Sequence, residues 1–220
     1  MSCQADAGTP LDAPEHIAAL AASVVEGGAS AVRIEGVKNI GTVSARVAVP
    51  VIGLVKTQRA STDVYITATV EDVQAIASAG AQIIAFDATR RPRPVDVPTL
   101  ITAINGHGCL AMADISTVEE AEFAMAAGAD VVSTTMAGYT DYTRGQAGPD
   151  FALMDALGRA GIPFVAEGRI WTPEDALRCL QLGARFIVAG SAITRPAVIT
   201  RHFIERIASS AAPGHRKASS

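Results

Sequence analysis

Apolar positions along this chain fall into short continuous runs separated by longer stretches of helical period. Four runs open on a Gly-Ala step, within Glu26–Glu35, Ala79–Asp87, Ala127–Thr135 and Leu182–Gly190. Their glycines stand at 28, 80, 128 and 183, a step of roughly 50 residues, about twice one βα unit. Three further runs, Val49–Lys56, Gly108–Asp114 and Ile162–Glu167, lie between them, and each of these three ends on a charged residue. Runs apolar at every position suit strands buried on both faces of a parallel sheet. Together they predict a (β/α)8 TIM barrel, a fold that keeps its chemistry at the C-terminal strand ends.

The intervening stretches carry helix punctuation. Asp12-Ala-Pro-Glu15 reads as an N-cap with proline in the first turn, opening a helix that ends near Gly27-Gly28. Thr69–Asp72, Ser116–Glu120 and Thr172–Asp175 join a hydroxyl cap to early carboxylates. Each helix is expected to stop at a glycine with positive φ. The last helix is predicted over about 197–209. The small, polar stretch 210–220 reads as a disordered tail. A single catalytic domain over 1–209 is therefore expected. Its first strand is apparently truncated, since Met1–Gln4 holds the end of a strand and almost none of its body.

Composition narrows the class. At 220 residues the chain is small for one barrel and too short for a barrel plus a second domain. Apolar residues make up 49%, in keeping with buried parallel strands. No run reaches the ~18 apolar residues of a membrane span, and no secretory leader opens the chain. A net charge of -4 offers no footprint for nucleic acid. Cys3, Cys109 and Cys179 are few, odd in number and scattered, which argues against disulfides or zinc and for a reducing cytoplasm.

The strand ends hold the candidate chemistry. In order they carry Gln4, Arg33 with Glu35, Lys56, Asp87, Asp114, Thr134-Thr135, Glu167 and Gly190-Ser191. One charge after a strand is usually a solvated loop residue; eight polar strand ends around one mouth make a site. Lys56 reads either as a lysine snorkelling to water or as one whose lowered pKa lets it accept a proton or form a Schiff base. Glu167 reads as a general acid/base, or as the partner of Arg169 or of a neighbouring strand. Asp114 could cap the helix near Thr117. Arg33, inside an apolar strand, needs an anion such as Glu35 or Asp87, or a substrate.

A phosphate signal lies in the last quarter. Gly168-Arg169 follows the seventh strand and Ala189–Pro196 the eighth, the two loops where barrels often bind phosphate. The small residues of Gly190-Ser191-Ala192 admit an anion close to the backbone, and Arg195 adds charge. Arg90–Pro94 is a solvated loop or a rim for an anionic substrate. His16, His107, His202 and His215 avoid the strand ends, so no metal is expected. No dinucleotide fingerprint opens a helix, so no redox cofactor is expected.

Several ordered motifs resemble one family. Ser2–Ala5, Arg33–Gly36, Ile52–Lys56, Phe86–Pro94, Met112–Thr117, Gly138–Thr140, Ala166–Ile170 and Gly190–Pro196 are similar to N-acylglucosamine-6-phosphate 2-epimerases, also called N-acetylmannosamine-6-phosphate 2-epimerases. The resemblance spans Ser2 to about Ile207. It implies a phosphate-binding (β/α)8 barrel that inverts C2 of N-acetylmannosamine 6-phosphate in bacterial use of sialic acid, without a cofactor, and that works as a homodimer in the family pattern. It implies Lys56 and Glu167 as the catalytic pair. Gln4, Arg33 and Asp114 would hold the sugar; Gly168, Arg169, Gly190, Ser191 and Arg195 would hold the phosphate. The chain departs from the family after Lys56, where Thr57–Ala60 replaces an Arg and a Tyr-containing loop.

The residue types suit that reaction. In the open-chain aldehyde the C2 proton is acidic, and its removal needs a base with a pKa near working pH. Cationic and amide donors stabilise the oxygen charge that develops. Two other readings remain at this level: an aldolase- or lyase-type barrel with Lys56 as Schiff-base nucleophile, and a non-catalytic sugar-phosphate binder. Fold analogy alone also admits a relative acting on ribulose phosphate or a thiamine precursor.

Overall fold

The computed structural model describes residues 1–145 and 147–211. Eight strands follow one another in chain order: β1 (Ser2–Cys3), β2 (Val32–Glu35), β3 (Val51–Leu54), β4 (Ile83–Asp87), β5 (Leu110–Asp114), β6 (Val131–Ser133), β7 (Phe164–Glu167) and β8 (Phe186–Val188). Every strand pairs in parallel with the next. The first strand, two residues long, is held at both edges. The Ser2 N–H donates to the Ala189 carbonyl at 2.9 Å, and Thr194 Oγ1 donates to the Ser2 carbonyl at 2.6 Å. These bonds tie the first strand to the segment that follows β8 and bring the barrel nearly to closure.

Strand parity explains two cores. Ile52, Leu54, Ala85, Met112, Val165 and Val188 point inward and fill the barrel. The alternate residues Ile34, Ile84, Phe86, Ala111, Ala113 and Phe164 point outward and pack under the helices. The same parity turns Arg33, Asp87, Asp114, Ser133 and Glu167 inward at the C-terminal ends of their strands.

The helices are α1 (Pro14–Glu26), α2 (Val37–Ser44), α3 (Val70–Ser78), α4 (Val97–Gly106), α5 (Val118–Ala126), α6 (Phe151–Arg159), α7 (Pro173–Gln181), α8 (Ser191–Thr194) and α9 (Pro196–Ala211). Thr69, Thr117 and Thr172 close reciprocal capping boxes with Asp72, Glu120 and Asp175. Asp12 does not cap α1. Ala13 holds that position without a side-chain bond, because the Asp12 carboxylate accepts the Gly8 N–H at 2.8 Å instead. The repeat glycines 28, 80, 128 and 183 have φ of 98°, 96°, 99° and 100°, the left-handed turn that carries a helix end back toward the sheet. The expected tail boundary shifts: residues 210 and 211 belong to α9, and 212–220 lie outside the described residues. Among the described residues no helix is long and apolar enough to cross a membrane.

Candidate active site

A cavity of about 620 Å³ opens over the C-terminal strand ends. Gln4, Arg33, Lys56 and Glu167 line one part of it. Gly168, Arg169, Gly190, Ser191 and Arg195 line another. Asp114, expected to hold the sugar, does not line the cavity and is fully buried; the strand-end residues Asp87 and Thr134 are buried as well.

The floor is an ionic cluster. Arg33, 1% exposed, donates to both Asp114 oxygens, from Nη2 at 2.6 Å and Nη1 at 3.2 Å. Glu167 Oε2 stands 3.2 Å from Arg33 Nη1. Thr135 Oγ1 donates to Asp114 Oδ1 at 2.9 Å and lies 2.8 Å from Ser133 Oγ. These contacts correct three expectations. Arg33 pairs across the barrel with Asp114 and Glu167 rather than with Glu35 or Asp87, and the Asp87 carboxylate is taken by Thr89 and Arg91. Asp114 caps no helix; Glu120 completes the α5 capping box. Glu167 meets Arg33 and not Arg169. Burial opposes the Arg33 charge, but Asp114 and Glu167 outweigh it and raise its pKa. Burial, helped by Asp114, raises the Glu167 pKa, with Arg33, Thr135 and Lys56 pulling the other way.

Lys56 stands two residues beyond β3. Its chain turns back: the Thr57 N–H donates to the Tyr65 carbonyl, and the Thr67 N–H to the Val55 carbonyl, both at 2.9 Å. This return places Tyr65 on the cavity wall. Lys56 Nζ donates to Gln4 Oε1 at 2.7 Å, and Gln4 Nε2 donates to Ser2 Oγ at 2.8 Å. The short first strand therefore suffices to hold Gln4. Lys56 is exposed by area because the cavity is open, yet its flanks still displace much of its water. That desolvation, then the Arg33 charge, lowers its pKa, while Glu35 and Glu167 raise it. The divergent loop is anchored by an Arg59–Asp72 ion pair at 2.9 Å.

At the two loops expected to bind phosphate, Gly168 and Arg169 have φ of 112° and 56°. The left-handed turn points the Arg169 side chain into the loop after β6, where Nε donates to the Gly148 carbonyl at 2.9 Å and Nη2 to Ala137 at 2.7 Å. Arg169 thus secures that loop with its guanidinium. Gly190 packs closely on the first strand: a Cβ there would sit 3.2 Å from Ser2 Cβ, a tight contact. Arg195 meets Asp6 in an ion pair across the rim. Arg90–Pro94 is no rim: Arg91 pairs with Asp87, Arg93 Nε donates to the Val95 carbonyl at 2.8 Å, and Arg90 stacks over Tyr142. Thr135, named among the strand ends, also lines the cavity. Sequence reasoning gave no role to Tyr65, Tyr139 or Trp171, which line it too and depend on loop paths.

Known proteins match this arrangement. The family described as "NanE: Putative N-acetylmannosamine-6-phosphate epimerase" matches residues 17–209. Proteins of Escherichia coli O9:H4 (strain HS) and Shigella flexneri, each called "Putative N-acetylmannosamine-6-phosphate 2-epimerase", are 47% identical over 195 residues, 89% of this chain and 85% of theirs. The solved structure of N-acetylmannosamine-6-phosphate 2-epimerase from Clostridium perfringens superposes with a TM-score of 0.91 at 40% identity, covering 93% of this chain and 91% of that one. Thiamine phosphate pyrophosphorylase from Pyrococcus furiosus, 17% identical with a TM-score of 0.58, shares the fold alone. The chain belongs to the NanE family of N-acetylmannosamine-6-phosphate epimerases.

Proposed function

We propose that this enzyme inverts C2 of N-acetylmannosamine 6-phosphate to give N-acetylglucosamine 6-phosphate, with Lys56 and Glu167 exchanging protons with that carbon from opposite sides. The observation that carries the reading is their placement. Lys56 follows β3 and Glu167 ends β7, four strands apart in an eight-stranded ring, and both face one cavity. Inversion needs a proton removed from one face and returned to the other. Two groups on opposing walls meet that need without turning the intermediate.

In the open-chain aldehyde, neutral Lys56 Nζ takes the C2 proton. The electron pair moves into the C1–C2 bond, and the aldehyde oxygen becomes an enolate oxygen. Protonated Glu167 then delivers its proton to C2 from the other face as the aldehyde re-forms. The lowered Lys56 pKa and the raised Glu167 pKa both bring the groups toward neutrality. Arg33 adds a fixed positive charge at the cavity floor for the developing oxyanion. Gln4 orients the Lys56 amine. The backbone of Gly168, Arg169, Gly190 and Ser191, with the Arg195 guanidinium, grips the phosphate and supplies binding energy remote from C2. A Schiff base on Lys56 is chemically open to a lowered-pKa lysine, but family membership favours epimerisation.

The phosphorylated substrate and the three buried free cysteines support a cytoplasmic enzyme. Exposed Phe203, Ile204 and Ile207 on α9 support a homodimer.

Incubation with N-acetylmannosamine 6-phosphate in D2O, followed by proton NMR, tests the reaction. The expected product is N-acetylglucosamine 6-phosphate with deuterium at C2. No product and no exchange at C2 would refute the assignment. Lys56→Ala should lower kcat about a thousandfold or more while leaving the fold intact; near-normal turnover in that variant would remove Lys56 from the mechanism.

A further inference from the structure

Asp114 cannot be a ligand for the sugar as the protein is built. It is fully buried, and both its oxygens are already engaged. Oδ2 accepts from Arg33 Nη2; Oδ1 accepts from Arg33 Nη1 and Thr135 Oγ1. Its role has to be exercised through those partners.

Arg33 is a buried cation with two carboxylates beside it. The two are not equivalent. Asp114 receives directed hydrogen bonds from both terminal nitrogens. Glu167 is close to Nη1 but lacks the geometry of a hydrogen bond, and its Oε2 is left without a hydrogen-bond partner. The guanidinium is therefore spoken for by Asp114, and Glu167 feels only its charge. This asymmetry matters when Glu167 gains a proton. Were Glu167 the sole counter-ion, protonating it would strand a buried positive charge, which is strongly unfavourable. With Asp114 paired, Arg33 stays neutralised whichever state Glu167 is in.

We propose that Asp114 is a positioning residue: as the standing counter-ion of Arg33, held in place by Thr135, it leaves Glu167 free to take up and release a proton. The proposal rests on the acid/base role assigned above to Glu167. The charged and titratable groups facing Glu167 are Arg33 on β2, Asp114 on β5, Lys56 beyond β3 and the Met1 ammonium at β1; the Thr135 hydroxyl faces it from beyond β6.

Two variants test this, because they move Glu167 in opposite directions. Asp114→Asn removes a negative neighbour and gives Glu167 the undivided Arg33 charge, so the carboxyl should titrate at lower pH than in the wild type. Asp114→Asn combined with Arg33→Gln removes the cation too, so burial dominates and the carboxyl should titrate at higher pH than in the wild type. The double variant removes the buried cation together with its counter-ion, so it serves even where the single variant does not fold. The titration is read by carboxyl 13C NMR on protein labelled at glutamate, with the Glu167 signal assigned by its loss in Glu167→Gln. That measurement needs no turnover, so it remains decisive where the epimerase reading itself fails in the D2O assay. In activity, Asp114→Asn should lower kcat at neutral pH by about tenfold or more with KM changed less than about threefold. An unmoved Glu167 titration in either folded variant would overturn the proposal. So would a raised KM with an unchanged pH profile, the signature of a direct contact with the sugar.

Discussion

In the proposed mechanism Lys56 acts as a base only in its neutral form, so its neighbours would set the pH at which the enzyme runs. Glu35 lines the same cavity and accepts the Lys56 N–H through Oε1 at 3.3 Å. Its negative charge favours the ammonium and holds the Lys56 pKa up against desolvation and Arg33. Glu35→Gln should therefore lower that pKa further, and more of the lysine is neutral at a given pH. The rising limb of the pH profile of kcat/KM should move to lower pH; a limb that stays or moves upward would remove Glu35 from this balance. Much of the site was legible at this scale, because a polar residue ending an apolar strand points where its parity sends it. Lys56, Glu167 and Arg33 were found that way. The partner of Arg33 was not, since pairing across a barrel depends on which strands face one another. Tyr65 was missed for a related reason. It reaches the wall by a backbone return after Lys56 that no periodicity announces, and Thr67 at its end has φ of 42°.

At the scale of elements, each strand must let its helix come close. Gly53 on β3 shows how close. A Cβ at this position would lie 2.6 Å from Ile76 Cγ2, 2.8 Å from Ala81 Cβ and 3.1 Å from Ile40 Cδ1. These atoms belong to α2, α3 and the turn into β4, so one added methyl presses on several packed groups at once. Gly53→Ala should destabilise the fold by about 1–3 kcal/mol, measured as a lower midpoint in urea with an unchanged m-value. Stability equal to the wild type would mean that α2 and α3 shift freely over β3. Helix starts were readable because a threonine cap and a carboxylate three residues on form a local pair. Asp12 escaped that rule. A glycine four residues before it offers the same carboxylate a competing N–H, and the proline at the first helical position needs no side-chain cap to begin the helix.

At the scale of the whole molecule, α9 presents an apolar face to solvent. Phe203, Ile204 and Ile207 are 64%, 61% and 66% exposed, at the i, i+1, i+4 spacing of one helical face. Leu177 and Leu180 on α7 and Ile193 on α8 are exposed as well. Light scattering should give twice the chain mass of 22.6 kDa. Phe203→Asp should reduce it to a single chain; a wild type that is monomeric at all concentrations would remove the homodimer. The barrel was legible in the sequence from its glycine period, but this uncovered face was not, because a run of apolar residues does not say what will cover it. The joint between Ser2 and Thr194 has a consequence in time. Its two sides lie 192 residues apart, and a ribosome adding roughly 5–20 residues per second delivers them some 10–40 s apart. Until the second side emerges, β1 has a neighbour on one flank only and the sheet is an open ribbon with bare edges. The catalytic chamber is thus among the last things the chain makes. A message cut short before Gly190 would leave an adhesive fragment rather than a weaker enzyme.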